Sequence, residues 1–513
     1  MSGKTRLLSI VLGLIMLLSA CSNGTGEKVQ ENDPPESTPA ADGESSPAPA
    51  SRVDTEGSLE GDVIIAVNTS ANPSELLPVG ILPSDNADYS EFENLKKTAG
   101  IPIQRPEGVG SSDSESQVVG RANPEKSYAA GEKKSIKTMD FYKRMMQSFG
   151  DPAFADYDNN ERVDVDIELV YEGEYCTIWG QTSPIHERPD LSIKLDTELA
   201  KKLADEFDTK IFPIVTSTFG PLYDVDGDGK FAIVCADFID YYNYEIYENY
   251  FLQGYCNPPE DSAPVSEGGN GTEMDMMVLD LWPTLYNEKC EPAEENWMLA
   301  MQTVAHEMTH YVNYSALNLI PEKTVVLESW IQESFTTLGE TLYKGKVADD
   351  IFGLYSQDAN SVVANGRSPI EFQGMMEDYA LVNMFSLYLY EQTKDLEGGG
   401  WPLFRTIIES NYSDYTAIEN ALKEIGYPVT DFSELLFNFR IAIVANEDSG
   451  VYGFNKNENV QGLPIHFYKN ADGMADEKTL PGGGAIVFKN PEGGFVPEGS
   501  DKNIRFAGIT LEK

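Results

Sequence analysis

The chain contains 513 residues and carries a formal net charge of −47 at pH 7, from 84 acidic and 37 basic side chains. This excess of negative charge repels phosphate backbones and anionic lipid surfaces, and it therefore excludes nucleic acid as a partner. The length leaves room for two or three domains, and 26 tyrosines and 23 phenylalanines supply aromatic surface for a sizeable core. We expect the folded part to be a monomer.

The first residues have the pattern of an export signal. Lys4 and Arg6 precede an apolar run over 7–18 that is too short to span a bilayer. The run ends in Leu-Ser-Ala-Cys at Cys21, which resembles the bacterial lipobox. The resemblance implies a signal peptide over 1–20, lipidation of Cys21, and a chain that is exported to the bacterial cell envelope and anchored there by lipid.

Two regions of low apolar content follow the signal. Residues 21–60 are rich in Ser, Pro, Ala, Gly, Asp and Glu, and they contain almost no large apolar side chains. Such a segment cannot bury enough surface to fold, so it predicts a disordered tether. Residues 61–130 open with a strand-like run at 61–67 and are then rich in Pro, Ser, Asn and Gly. We expect an accessory region or a propeptide there.

Regular strand and helix patterns begin near 131 and predict one domain over 131–446. The segments that predict strands are 135–141, 162–171, 174–179 and 231–234. The segments that predict helices are 195–207, 401–409, 416–425 and 432–446. Glycine, proline and asparagine then become frequent. Short strand patterns at 465–468, 485–488 and 504–511 predict a small C-terminal β module over 447–513.

An acidic turn interrupts this domain. Asp224, Asp226 and Asp228 occupy positions one, three and five of a turn with glycine at six, which matches the front half of a calcium loop. Cys235 stands where an EF-hand has its glutamate, and a strand-like run follows, so the turn is not an EF-hand. It predicts either a Ca²⁺ site, completed by Asp237 or Asp240, or an acidic hairpin turn without metal.

The densest chemical signal is the H-E-x-x-H pattern formed by His306, Glu307 and His310, which holds two of the four histidines of the chain. Apolar residues at helical spacing over 295–312 place the pattern within an amphipathic helix. Histidines four apart lie on one helix face and can bind one Zn²⁺ through their ring nitrogens. Glu307 then faces a water in an open coordination position, where it can act as general base.

A catalytic zinc ion needs a third protein ligand. The apolar period over 327–342 predicts a second helix that crosses the first, and this helix carries three candidate carboxylates. They are Glu328, Glu333 and Glu340. Spacing alone leaves the choice among the three open.

The H-E-x-x-H pattern followed by Trp-Ile-Gln-Glu at 330–333 resembles the gluzincin metallopeptidases, and more closely the hyicolysin family of secreted bacterial peptidases. The resemblance covers roughly 130–445 and is sharpest over 306–340. It implies Glu333 as the third zinc ligand and Glu340 as a supporting residue. Gln-Glu-Ser at 332–334 stands where the commoner family pattern has Asn-Glu-Gly, which keeps the ligand and leaves the shape of the substrate floor undetermined.

The same resemblance implies two further roles. The strand-like run at 274–281 corresponds, by analogy, to the edge strand that pairs with an extended substrate backbone. A predicted helix at 375–393 corresponds to the tyrosine-led helix that follows the zinc helices. Tyr379 on that helix is the candidate donor to the developing oxyanion. A purely packing role, of the kind expected for Tyr388 and Tyr390, is the alternative.

The resemblance implies an α+β, zincin-type fold with an N-terminal mixed β-sheet subdomain, a helical C-terminal subdomain and zinc in the cleft between them. The implied function is a zinc-dependent endopeptidase that hydrolyses peptide bonds in extracellular proteins. Two alternatives stay open: a non-catalytic surface-binding lipoprotein or adhesin on the same scaffold, and a zinc aminopeptidase. The Gly-x-Met-x-Asn pattern that aminopeptidases place before the zinc helix is missing from the sequence.

Four cysteines follow Cys21, and none of them has the C-x-x-C spacing of a cysteine metal site. Because export permits disulfides, Cys256 and Cys290 are candidates for a pair. Cys176 and Cys235 lie in strand-like runs, where burial explains them equally well.

Overall fold

A computed structural model describes the chain over residues 51–52, 58–80, 82, 118–120, 128–148, 151–158, 161–183, 193–239, 251–287, 289–321, 323–347, 363, 365–455 and 479–510. The predicted signal peptide, Cys21 and the strand pattern at 465–468 lie outside these residues. So do most of the predicted tether and most of the 61–130 region.

The described residues form both strands and helices in quantity, and the predicted α+β class is confirmed. The strands are β1 (Ser51–Arg52), β2 (Val63–Asn68), β3 (Leu77–Pro78), β4 (Val118–Gly120), β5 (Lys133–Met139), β6 (Arg162–Glu172), β7 (Cys176–Gln181), β8 (Leu222–Asp224), β9 (Phe231–Ala236), β10 (Gly254–Tyr255), β11 (Met276–Asp280), β12 (Thr479–Leu480), β13 (Ala485–Lys489) and β14 (Ile504–Ile509). The helices are α1 (Phe141–Ser148), α2 (Thr197–Glu206), α3 (Phe212–Phe219), α4 (Pro258–Asp261), α5 (Trp297–Leu319), α6 (Ser329–Lys344), α7 (Met376–Thr393), α8 (Trp401–Glu409), α9 (Thr416–Glu424) and α10 (Phe432–Ala445).

The larger sheet has six strands in the order β10-β11-β9-β7-β6-β5. Strands β7, β9 and β11 run parallel to one another, and the remaining pairs are antiparallel. Both faces of β9 are covered: Phe231 and Ile233 pack into the core on the helix side, while Ala232 and Val234 pack into a second core on the other side. Burial on both faces explains why this strand reads as a continuous apolar run.

Helices α2 and α3 are joined more closely than the sequence pattern predicts. The predicted helix at 195–207 does begin near that point, where the Asp196 carboxylate accepts hydrogen bonds from the first backbone N–H groups of α2. The helical path does not end at 207, however, but continues through a widened turn over 207–211 into α3. Pro213 has no N–H to donate, and the widened turn accommodates it, so the path ends only at Gly220 with φ of 123°.

Helices α5 and α6 approach each other closely, and this contact sets the geometry of the site described below. Gly339 on α6 faces α5, and a Cβ atom at this position would lie 2.6 Å from Thr309 Oγ1. A side chain larger than hydrogen would therefore push the two helices apart. On its other side α6 packs against α7, where Ser386 Oγ donates a 2.6 Å hydrogen bond to the carbonyl of Ser334.

A second sheet joins two parts of the chain that the sequence analysis assigned to different regions. Its strand order is β1-β14-β2-β13, so the strand at the start of the 61–130 region lies between the two C-terminal strands. The end of the predicted tether also contributes, because β1 pairs with β14 and Leu59 is buried. Ile65 on β2 and Val487 on β13 pack into the same core as the buried side chains of α10. The C-terminal strands therefore do not form a module of their own.

The described residues also bear on the cysteines and on membrane-spanning helices. No disulfide joins Cys176, Cys235, Cys256 or Cys290 within the described residues, so the candidate pair of Cys256 and Cys290 is wrong. In the part of the chain that the structure covers, no helix combines the length and the apolar character needed to cross a membrane.

Candidate metal centre

Helix α5 presents the H-E-x-x-H residues to a buried pocket. The rings of His306 and His310 lie one helical turn apart, with centroids separated by 5.0 Å. His306 and Glu307 are buried in the middle of a helix whose other buried side chains pack against the sheet. The pattern therefore lies on the inner face of α5, as the sequence predicts, rather than on an exposed polar turn.

Helix α6 delivers one carboxylate to these two rings. Glu333 Oε2 lies 3.3 Å from His306 Nε2, and Glu333 Oε1 lies 3.5 Å from His310 Nε2. The three side chains form a group whose ligand atoms all lie within 4.8 Å of one another. Of the three glutamates left open by spacing, Glu333 is the one that the crossing of α5 and α6 brings to the histidines.

The geometry of this group fits a tetrahedral metal ion. Ligands about 2.05 Å from a tetrahedral Zn²⁺ are separated from one another by about 3.3 Å, close to the two distances measured here. His306 Nε2 is buried and makes no hydrogen bond within the described residues, although a carboxylate oxygen faces it. Two imidazole nitrogens and one carboxylate are also the donor set of a catalytic zinc site. The residues present therefore fit the metal ion that the sequence predicts.

Glu328 and Glu340, the two other candidates, have different partners. Glu340 Oε1 accepts a 2.6 Å hydrogen bond from His306 Nδ1, and this bond orients the ring so that Nε2 faces the pocket. Glu328 lies at the start of α6, where its Oε2 accepts a 3.0 Å hydrogen bond from Trp330 Nε1. The structure thus places Glu340 in the supporting position and leaves Glu328 outside the group.

Gln332 is a site residue to which the sequence analysis assigned no role. Its side chain lies close enough to His310 to act on the pKa of that ring, and its Nε2 donates a 2.7 Å bond to the carbonyl of Leu327. Both histidines thus have a neighbour on α6: Glu340 orients His306 through a hydrogen bond, and Gln332 lies beside His310. Gln332 stands next to the ligand Glu333 in the sequence, but only the crossing of α5 and α6 shows that its amide lies near His310.

The electrostatics of the pocket depend on burial and on the mixture of charges. Burial alone raises the pKa of Glu333, but His310 and His306 outweigh it and hold that pKa below its usual value. Burial also raises the pKa of Glu307 to about 8. A backbone hydrogen bond from Cys256 favours the ionised form and opposes this rise. A carboxyl group with a pKa in this range can both accept and release a proton near neutral pH.

Tyr379 on α7 lies beside the histidines. Its ring centroid is 6.3 Å from that of His306, and its other side packs edge-on against Phe372 at 4.9 Å. The hydroxyl group is buried and has no hydrogen-bond partner within the described part of the chain. Burial, followed by the charge of Glu333, raises the pKa of Tyr379 well above its ordinary value, so the phenol keeps its proton. Tyr388, by contrast, donates a 2.7 Å bond to the carbonyl of Val451.

The edge strand next to the metal-ligand group is not the one that the sequence analysis named. The run at 274–281 does contain a strand, β11, but β10 pairs with it and forms the sheet edge among the described strands. A Cβ atom at Gly254 of β10 would lie 2.5 Å from Thr303 on α5, so only glycine permits this approach. Cys256, the residue after β10, makes a backbone hydrogen bond to Glu307. Two residues are too few for a strand pattern to be read from sequence.

The acidic turn forms a second group of potential ligands, with one change of membership. Asp224, Asp226 and Asp275 each place a carboxylate oxygen within 4.8 Å of the other two. Asp228 is not in this group, and its Oδ1 accepts a 2.8 Å hydrogen bond from the backbone of Lys230. Of the two residues expected to complete the site, Asp237 is outside the group, and Asp240 lies outside the described residues.

Comparison with known proteins agrees with the geometry of the histidine group. No protein-family model matches the chain. The chain is 26% identical over 353 residues to the neutral metalloprotease ShpI of Staphylococcus hyicus, and the alignment covers 68% of this chain and 74% of that protein. The similarity supports a metallopeptidase family for this chain, and the group of His306, His310 and Glu333 supports a metal ion.

Proposed function

We propose that the chain is a zinc-dependent endopeptidase that cleaves proteins or peptides, and that His306, His310 and Glu333 hold the zinc ion. One observation carries the proposal: two imidazoles and one carboxylate converge at tetrahedral spacing beside Glu307. A relative whose name is that of a neutral metalloprotease supports the same class of reaction.

The chemistry that zinc supplies when bound is Lewis-acid polarisation of the scissile carbonyl and a lower pKa of water. Glu307 accepts the proton of the attacking water and passes it to the leaving amine nitrogen. Its burial favours this exchange, because a buried carboxylate binds a proton more readily than an exposed one. Glu340 keeps the His306 ring in the orientation that the ligand set requires.

Two further parts of the site act on the substrate. The Tyr379 hydroxyl, which has no hydrogen-bond partner among the described residues, donates to the oxygen that becomes negatively charged during the attack. The edge strand β10 pairs with the extended substrate backbone and brings the scissile bond towards Glu307. Backbone pairing of this kind gives affinity with little dependence on the substrate sequence, which suits an endopeptidase.

The location of the enzyme is a proposal from sequence alone. The export pattern over 1–20 and the lipobox-like sequence at Cys21 support a lipid anchor in the bacterial cell envelope. The acidic, low-complexity segment that follows would hold the catalytic part away from the membrane surface. We propose that the enzyme acts there as a monomer on extracellular proteins.

The first test compares the zinc-loaded chain from Ser22 onward with the same chain carrying Glu307→Gln, using an unfolded protein as substrate. Removal of a general base costs roughly 10²–10⁴-fold in rate, so only the original chain should cut at an appreciable rate. Metal analysis of both proteins should give equal zinc content, because Glu307 is not one of the ligands. A chelator should stop the reaction.

The outcomes separate the alternatives. Equal cleavage by the two proteins would contradict the role of Glu307. Equal zinc content with no cleavage by either would favour the non-catalytic binding protein. Peptides with blocked and free amino termini distinguish the remaining pair, since an endopeptidase cuts both and an aminopeptidase needs the free amine.

A further inference from the structure

A group of three carboxylates away from the histidines has no part in the proposed reaction. Asp224 ends β8, Asp226 lies in the turn after it, and Asp275 comes immediately before β11. One carboxylate oxygen of each lies within 4.8 Å of the other two. The turn and the strand are distant in sequence, so the fold alone brings Asp275 to the other two carboxylates.

Asp275 is the independent observation that points to a ligand. Only 1% of its surface is exposed, and its Oδ2 atom is buried without any hydrogen-bond partner among the described residues. A buried carboxylate oxygen that faces two other carboxylates and no donor is costly unless a cation is shared among them. The pKa of Asp275 is raised well above its ordinary value by burial and then by the charges of Asp226, Asp228 and Asp224. This rise reflects the same cost of ionising the carboxyl group without a cation.

Lys134 contacts one member of this group. Lys134 Nζ lies 4.0 Å from Asp226 Oδ2, and it donates a 2.7 Å hydrogen bond to the hydroxyl of Tyr128, which itself contacts Asp226. Lys230 Nζ is bonded instead to the Gly173 carbonyl.

We infer that Asp224, Asp226 and Asp275 together bind one Ca²⁺ ion. All three donors are hard oxygen ligands with no histidine or thiol among them, which selects calcium over the transition metals. Asp224 also accepts backbone hydrogen bonds from Gly227 and Gly229, which pre-form the turn around the site. The inference is independent of the proposed function.

The position of the site gives the ion a structural task. It would tie the turn between β8 and β9 to the start of β11, the strand next to the sheet edge that approaches Glu307. Helix α5 is attached at the same place, because Tyr311 donates a 3.1 Å hydrogen bond to the carbonyl of Tyr223, the residue before Asp224. Calcium should therefore stabilise the sheet and the metal-ligand helix together.

Calcium binding is measured on the chain from Ser22 onward in the Glu307→Gln background, which removes self-cleavage, at a fixed free zinc concentration. Thermal unfolding is followed while calcium is raised from about 0.1 to 10 mM. At saturation we expect the Tm to rise by about 3 °C, because the free energy gained from a ligand at about 100 times its Kd is divided by the large unfolding entropy of a chain of this size. Terbium luminescence sensitised by Tyr128, which contacts Asp226, gives a second readout.

Two matched variants test the membership of the site. Asp275→Asn should weaken calcium binding at least about tenfold, because affinity follows the number of charged ligands. Asp228→Asn removes a charge from the same turn without removing a member of the group, and it should keep the calcium-dependent rise in Tm. Without calcium, Asp275→Asn should raise the Tm, because it replaces a buried acid whose ionised form is costly in this pocket with a neutral side chain.

The inference is overturned if calcium leaves the Tm and terbium luminescence unchanged throughout this range. It is equally overturned if Asp275→Asn binds calcium as tightly as the parent while Asp228→Asn does not, since the site would then belong to the turn alone. Neither result bears on peptide cleavage, so the failure of this inference and of the proposed function can be told apart.

Discussion

The histidine group and the acidic turn each bury a carboxylate, yet the pKa of the buried acid moves in opposite directions at the two places. At the histidine group, burial opposes ionisation of Glu333, but His310 and His306 outweigh it and lower its pKa. At the turn, burial and the neighbouring carboxylates both raise the pKa of Asp275. The comparison shows that burial alone does not decide the charge of an acid; the partners that share its pocket do.

A third buried carboxylate, Asp261, extends the comparison, and its substitution should give the largest change in free energy. Asp261 accepts a 2.6 Å hydrogen bond from Asn270, and burial raises its pKa to about 7. The native state therefore holds a proton that the unfolded chain releases near pH 4, so the contribution of Asp261 to stability is lost as pH rises from about 4 to 7. Asp261→Asn should remove this loss and gain about 4 kcal/mol relative to the parent between pH 4 and 8.

Urea denaturation of both proteins across this pH range measures the difference. The two curves of unfolding free energy against pH should diverge between pH 4 and 7 and run parallel above it. Curves that stay parallel throughout would show that Asp261 is ionised in the native state, and that its hydrogen bond with Asn270 is enough to compensate the charge.

The next largest effect is expected on zinc affinity, from a substitution that disturbs the orientation of His306. Glu340→Gln keeps an acceptor for His306 Nδ1 but removes its charge, so the ring nitrogen that faces the pocket becomes a weaker ligand. We expect zinc affinity to fall by about 10–100-fold, measured by competition with a chromophoric chelator. Glu328→Gln is the matched control on the same segment, because Glu328 bonds to Trp330 and lies outside the group. Equal affinities for the two variants would contradict the orienting role of Glu340.

The smallest expected effect concerns the contact between the helices that carry the ligands. Gly339→Ala in a helix interior ordinarily stabilises by about 1 kcal/mol, but here the added Cβ would lie 2.6 Å from Thr309 Oγ1. We expect a net loss of about 1–2 kcal/mol in unfolding free energy. Adding Thr309→Ala should restore most of this loss by removing the clashing atom. A Gly339→Ala protein more stable than its parent would show that the helices separate without cost.

Much of the fold could be predicted because the signals are local. Apolar residues at helical period identified α5, α6 and α7, and continuous apolar runs identified β9 and β11. The predictions were wrong where a local rule competes with a distant contact. The helix at 195–207 continues past its predicted end through a widened turn, and β2 joins the C-terminal strands instead of a separate region.

The sequence by itself determined the chemistry of the histidine group, because an α-helix places residues four apart on one face whatever the rest of the chain does. His306, Glu307 and His310 could therefore be named together without a structure. The choice of Glu333 among three glutamates depended on where α6 crosses α5, and the membership of Asp275 depended on which strand lies beside the acidic turn. Both are contacts between residues far apart in the chain, and only the tertiary structure decides them, since no local period relates such residues.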